Sequence, residues 1–213
     1  MSFDTLAPHY RWMEFVLAGE KLQRCRTAFL DEIPPPRNIL LLGEGHGRGL
    51  VECCRRFGSA RITCIDSSAG MLDTARRQLK RHNLSSSRVA LIQTDIVNWM
   101  PTASAYDLVI TNFFLDCFTA AQLDDIILKV AGVATDDANW LVADFQAAPG
   151  TMRRIRSRMI LWLMYSFFRL SAQLGAHKLT PPDAFLQRAG FTLRRRTQTE
   201  WGLLHSDWWQ RKV

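Results

Sequence analysis

Ile39-Leu40-Leu41-Leu42-Gly43-Glu44-Gly45-His46-Gly47-Arg48-Gly49-Leu50 decides the fold of this chain. A short apolar run reads as a buried strand and breaks into four glycines at alternate positions. Helix-compatible residues follow through Val51-Glu52-Cys53-Cys54-Arg55-Arg56-Phe57. A buried strand, a Gly-rich turn and a helix form a nucleotide-type cradle, because glycine lets the backbone turn tightly and approach a ligand. The helix that starts there points unpaired N–H groups at whatever occupies the turn. A turn that merely needs glycine would ask for one, not four.

Outward from this turn the chain alternates. A strand at 61–66 precedes a helix over 68–83, in which Met71, Leu72, Ala75 and Leu79 share one face. Strands follow at 88–94 and 106–112, then a helix with Leu123, Ile126, Ile127 and Val130 inward, then a strand at 139–145. A long helix is expected at 151–174 and a short one at 181–189, stopped by Gly190. Strands at 191–198 and 200–207 are so close that they form a hairpin or one bent strand. Ahead of the turn, Pro34-Pro35-Pro36 cannot be helical throughout, and 3–30 reads as one or two amphipathic helices packed over the core. This alternation predicts an α/β fold, a doubly wound parallel sheet with an antiparallel strand at one edge.

At 213 residues the chain is most simply one domain, and its 47% hydrophobic and 22% charged content is that of a globular protein. The net charge of +7 and pI near 9.5 fit an anionic partner without requiring one. Five cysteines form no CxxC pair and no metal-like spacing with histidine, so reduced thiols and a cytoplasmic location are expected, with no metal. Met1-Ser2-Phe3-Asp4 lacks the charged lead and apolar core of a secretory signal, and no apolar run approaches the ~20 residues of a membrane span.

In a doubly wound sheet the ligand lies beyond the carboxyl ends of the strands. The strand assignments place Gly43 to Gly49, Asp66, Asp95 and Asn112-Phe113 there. Asp66 lies 21 residues after Gly45, where an acid can accept hydrogen bonds from both hydroxyls of a ribose. Taken alone, Asp66 is equally a helix N-cap. Dinucleotide folds want GxGxxG, but the third position falls on Leu50 counting from Gly45 and on Arg48 counting from Gly43.

The GxGxG of Gly45, Gly47 and Gly49 resembles the first motif of class I S-adenosylmethionine-dependent methyltransferases. Ile65-Asp66-Ser67-Ser68-Ala69-Gly70-Met71-Leu72 is similar to that family's ribose-binding segment, Asp95-Ile96 to its adenine-binding pair, and Tyr106 to Asn112 to its fourth-strand motif. Phe3-Asp4-Thr5-Leu6-Ala7-Pro8-His9-Tyr10 resembles the opening of the ubiquinone/menaquinone-type small-molecule subgroup. The resemblance implies a seven-stranded Rossmann-like sheet of order 3-2-1-4-5-7-6, with the last strand antiparallel and an N-terminal helical cap. It divides the single domain 1–213 into a cap at 1–33, a cofactor-binding core at 38–145, a helical acceptor-side lid at 151–190 and a closing hairpin at 191–209. It implies S-adenosyl-L-methionine as cofactor and S-adenosyl-L-homocysteine as product. The implied cofactor-binding residues are Tyr10, Gly43, Glu44, Gly45, His46, Gly47, Gly49, Asp66, Ser67, Met71, Asp95, Ile96, Asn112 and Phe113. In the family an acid usually stands two residues before the first glycine of the triplet. Here that position is Gly43, and Glu44 is read as its substitute.

Because the cofactor would carry an activated methyl group, the protein supplies mainly alignment, worth up to ~7–11 kcal/mol. A general base is needed only for some acceptors; the candidates are His9, His46, His177 and Asp116, of which His177, after the long helix, is preferred, with a solvated loop histidine as the competing reading. His205 reads as structural. The segment 151–174 is apolar all round its middle, more than one sheet-packing face requires, and is preceded by Arg153, Arg154, Arg156 and Arg158. This points to a hydrophobic or aromatic small-molecule acceptor, with peripheral membrane contact through 152–170 as a further use. Two other functions compete. The charge and Arg194-Arg195-Arg196 would fit a nucleic-acid methyltransferase, but Asn112-Phe113-Phe114-Leu115 lacks the prolines of the base-methylating motif, so nucleic acid is not the expected partner. The missing acid at Gly43 would fit a non-catalytic scaffold subunit.

Overall fold

The computed structural model describes residues 19–101, 105–146 and 180–212. Helix α1 (Gly19–Thr27) is followed by β1 (Asn38–Leu42), α2 (Arg48–Arg56), β2 (Arg61–Asp66), α3 (Ala69–Arg81) and β3 (Val89–Gln93). Then β4 (Tyr106–Asn112) leads through a 3-10 turn at Leu115–Cys117 to α4 (Ala120–Ala131) and β5 (Ala134–Phe145). The remaining elements are α5 (Asp183–Arg188), β6 (Phe191–Thr199) and β7 (Leu204–Arg211). Tyr10, most of the expected cap, the 151–174 helix and His177 lie outside the described residues.

The seven strands make one sheet of order β3-β2-β1-β4-β5-β7-β6. β1 pairs in parallel with both β2 and β4, which makes the gap between their carboxyl ends the switch point of the sheet. β7 runs antiparallel to β5 and to β6. This is the architecture expected from the sequence. Two details differ. β5 begins at Ala134, five residues before the apolar run, because Ala134 still pairs with Tyr106 across a register shift. β7 starts at Leu204, since the 3-10 turn Glu200–Gly202 takes up residues that sequence alone assigns to the strand.

Strand side chains alternate between two faces, so the apolar runs divide into two cores. Leu40, Leu42, Val109, Trp140, Val142 and Trp209 pack on one face with Leu123, Ile126, Ile127 and Val130 of α4 and Leu186 of α5. Ile39, Leu41, Leu108, Ile110 and Leu141 pack on the other with Leu50 and Cys53 of α2, Leu72 and Leu79 of α3, and Phe29 after α1. Thr119 and Gln122 close a capping box at the start of α4, worth about 1 kcal/mol. No helix among the described residues is long and apolar enough to cross a membrane.

Candidate functional site

The turn after β1 is left-handed at Gly43 (φ 63°), Gly45 (φ 59°) and Gly47 (φ 77°), while Gly49 lies inside α2. The glycines that the turn requires are therefore 43, 45 and 47, two residues earlier than the triplet read from spacing. A Cβ on Gly43 would stand 2.0 Å from Cδ2 of Phe114, whereas one on Gly45 would meet only the Met71 sulfur, at 4.0 Å. Gly45 thus presents an open backbone face, and Gly43 is a floor on which Phe114 lies.

Glu44 caps the helix that follows the turn. Its carboxylate is buried and accepts hydrogen bonds from the backbone N–H groups of Gly49 and Leu50, capping α2. Gly49 is small because a Cβ there would come within 2.7 Å of that carboxylate. Burial raises the Glu44 carboxyl, opposed by Arg26, the two N–H groups and the Asn112 side chain. With the triplet reset to 43, 45 and 47, the position two residues before it is Leu41, which is fully buried in the core. In this structure Glu44 serves the N-terminus of α2.

Asp66, at the end of β2, accepts from Gly45 N–H at 3.1 Å and Ser68 N–H at 2.9 Å. The N-cap of α3 is Ser68, whose hydroxyl accepts from Met71 N–H. Asp66 therefore ties the β2 end to the open face at Gly45 instead of capping the helix. Ser67 is exposed beside it, and Met71 is buried beneath the turn. His46 is buried within the turn. Asp95 is exposed, accepting from Val97 N–H at 3.0 Å, while Ile96 is buried in the core on the α4 side.

Beyond β4, Phe113 adopts φ 54°, a conformation costing about 1–3 kcal/mol for a non-glycine residue. It is held by its N–H bond to the Ala143 carbonyl at 2.6 Å, by the Phe145 ring at 5.1 Å and by the Arg26 guanidinium 5.0 Å above its own ring. Phe114 and Phe118 stack edge-on at 5.0 Å. The four phenylalanines are half-buried and sit at the carboxyl ends of β4 and β5.

A polar cluster adjoins them on the α4–α5 side of the sheet. Asp144 and His205 are cross-strand partners on β5 and β7, and both are buried. Asp116, in the 3-10 turn after β4, is the carboxyl neighbour of Asp144. Burial pushes the Asp116 carboxyl up to about 6 and raises Asp144 well above the usual carboxylate range, the two carboxyls reinforcing the effect at Asp144. Asp207 differs: burial alone would raise it, but Arg196 and His205 hold it below the usual range. The Arg196 guanidinium forks onto Asp207 at 2.6 and 2.5 Å and also reaches Asp183 at 2.8 Å.

Residues 39–137 match the family described as "Methyltransferase domain". The matched stretch runs from β1 to the start of β5, a little under half of the chain. A trans-aconitate 2-methyltransferase from an Acidovorax species is 35% identical over 79 residues, 37% of this chain and 28% of that protein. A polyamine aminopropyltransferase from Erwinia tasmaniensis is 31% identical over 81 residues, again 28% of its length. The aligned stretch thus spans under a third of these curated relatives. Among solved structures, the mitomycin 7-O-methyltransferase MmcR superposes with TM-score 0.71 at 16% identity, covering 99% of this chain and 61% of that one. The N-methyltransferase NodS from Bradyrhizobium japonicum, in complex with S-adenosyl-L-homocysteine, gives TM-score 0.63 at 16% identity over 91% of this chain and 85% of its own. At such identities the structural likeness is one of fold.

Within the matched stretch the sequence-predicted Gly43, Glu44, Gly45, His46, Gly47, Asp66 and Asn112 come together around one turn. Arg26 is an addition: a surface-type residue on an amphipathic helix, it gave no sequence signal, yet it stands over Phe113 and acts electrostatically on Glu44. The Asp144–His205–Asp207 group did leave a trace, since all three are ionisable side chains at core-facing positions of alternating strands. Arg194, Arg195 and Arg196 are exposed and have partners within the chain, Gln210, Glu32 with the Phe29 ring, and Asp183 with Asp207.

Proposed function

We propose that this chain is an S-adenosylmethionine-dependent methyltransferase of a hydrophobic, aromatic small molecule. The observation that carries the reading is the open left-handed turn at Gly45, bonded to the acid at the end of β2. The residues present fit such a cofactor: a backbone face that a Cβ would fill, an acid beside it, and a cation in Arg26 on the side of Asn112 and Phe113. In this reading Asp66 holds the ribose hydroxyls, Asp95 and Ile96 flank the adenine, and Asn112, Phe113 and Arg26 hold the methionine end. When bound, the cofactor supplies an already activated methyl group. The protein's own contribution is to orient the acceptor and exclude water, for which Phe113, Phe114, Phe118 and Phe145 offer aromatic surface at the right edge of the sheet. The same aromatic edge, and the apolar composition of 152–170, support a greasy acceptor and a peripheral membrane encounter.

The test is incubation of the chain with methyl-labelled S-adenosylmethionine and a cell extract, separated into lipid-soluble, small polar and nucleic-acid fractions. Label in the lipid-soluble fraction is expected. Label confined to the nucleic-acid fraction would overturn the acceptor class, and label in none would overturn the enzyme reading.

A further inference from the structure

The cluster beside the aromatic edge contains a buried pair of carboxyls. Asp144 is 1% exposed, and its carboxyl meets the backbone N–H and the carboxyl of Asp116. A buried carboxylate normally gathers two or three donors, and leaving it without them costs several kcal/mol. The group facing it is a second carboxyl, Asp116, and a proton held between the two relieves the repulsion of two buried carboxylates. Across the strand pair stands His205, buried, with Nδ1 3.1 Å from Oδ1 of Asp207. Asp207 is itself clamped by Arg196 and accepts from Trp209 Nε1–H at 3.3 Å.

The position of this cluster gives it a use. Asp116 is two residues after Phe114, whose ring lies on Gly43, and Asp144 immediately precedes Phe145 of the aromatic edge. It is therefore at the carboxyl ends of β4 and β5, on the side of the turn where the methionine end of the cofactor is read. We propose that the Asp116–Asp144 carboxyl pair and His205 form a proton-accepting centre for the methyl acceptor, and that the acceptor presents a hydroxyl and not a carboxylate.

This deepens the function proposed above and rests on it. The acceptor O–H proton passes to the cluster and then to water. The oxygen pair it leaves forms the new C–O bond, and the pair of the broken C–S bond stays on sulfur. A carboxylate acceptor has no proton to give. It would also meet Asp116, Asp144 and Asp207 with the Arg196 guanidinium already forked onto one of them. The other ionisable groups around the centre are Cys117, whose thiol donates to Asp116 at 3.5 Å, and Cys25 and Asp183 at its margins.

The experiment uses the full chain and its Asp144→Asn and Asp116→Asn variants. Carboxyl-carbon NMR titration is expected to show the Asp116 signal moving near pH 6 in the parent and at a lower pH in Asp144→Asn. Titration of both carboxyls near ~4, the ordinary aspartate value, would overturn the shared proton. Calorimetry at pH 6 in buffers of different ionisation enthalpy then counts protons released on binding S-adenosylmethionine and S-adenosylhomocysteine. The cationic sulfonium is expected to expel more protons than the neutral thioether, a difference abolished in either Asn variant. Equal counts with normal binding would overturn this proposal alone, whereas absence of binding by both ligands would overturn the cofactor reading beneath it.

Discussion

Gly43 and Gly45 have nearly the same left-handed backbone and opposite surroundings, so alanine at each separates stability from binding. Forcing a Cβ into φ 63° or 59° costs roughly 1–2 kcal/mol in either case. At Gly45 that is the whole cost, because the new methyl meets only Met71 Sδ at 4.0 Å. At Gly43 the methyl would enter the Phe114 ring, 2.0 Å from Cδ2. Displacing that ring adds the ~1–3 kcal/mol typical of overpacking, for a total of about 2–5 kcal/mol. Urea unfolding should thus rank the parent above Gly45→Ala and Gly45→Ala above Gly43→Ala. Binding should show a different pattern. The Gly45→Ala methyl fills the backbone face the cofactor needs, so affinity for S-adenosylhomocysteine should fall at least tenfold, about 1.4 kcal/mol, while the variant remains folded. Parent-like affinity in a folded Gly45→Ala would refute the placement of the ligand on that face. Equal unfolding midpoints for the two variants would refute the Phe114–Gly43 contact.

Further expectations concern the charges. Asp207→Asn takes the charge from one arm of the Arg196 fork, leaving the guanidinium with Asp183, and should cost about 1–3 kcal/mol in urea unfolding. Asp144→Asn should behave oppositely. A carboxyl whose folded-state pKa is raised makes the native state lose stability as pH climbs from the unfolded value of about 4 through the folded value. The Asn variant lacks that loss, so its unfolding midpoint should exceed the parent's at pH 8, and the gap should vanish below pH 4. Arg26→Ala removes the cation above Phe113 and should weaken S-adenosylhomocysteine binding about tenfold, roughly 1.4 kcal/mol, with the deficit shrinking in high salt.

Much of the fold was legible in the sequence because parallel strands buried on both faces leave continuous apolar runs, as at Ile39–Leu42 and Leu108–Ile110. The start of β5 was not legible, since Thr135, Asp136 and Asp137 belong to a strand end whose pairing comes from the register with β4. The glycine turn was half legible. Four alternate glycines announce a cradle, but the sign of φ is not written in composition, so Gly49, which only makes room for Glu44, looked like one of the turn glycines. Asp116 stood among the candidate bases, but its neighbours Asp144 and His205 were hidden for another reason. Asp116, Asp144, His205 and Asp207 are scattered over three elements, and only the β5–β7 register brings them together. The strands nevertheless showed ionisable residues at core-facing positions, the kind of conflict between pattern and burial that marks functional sites.

The central claim is that the Gly43–Gly47 turn and Asp66 hold S-adenosylmethionine. Isothermal titration of the chain with S-adenosylhomocysteine tests it most directly. The account predicts one site of micromolar affinity, lost in Asp66→Ala and retained in a surface control such as Asp73→Ala. Absence of heat at millimolar ligand, or binding indifferent to Asp66→Ala, would contradict it.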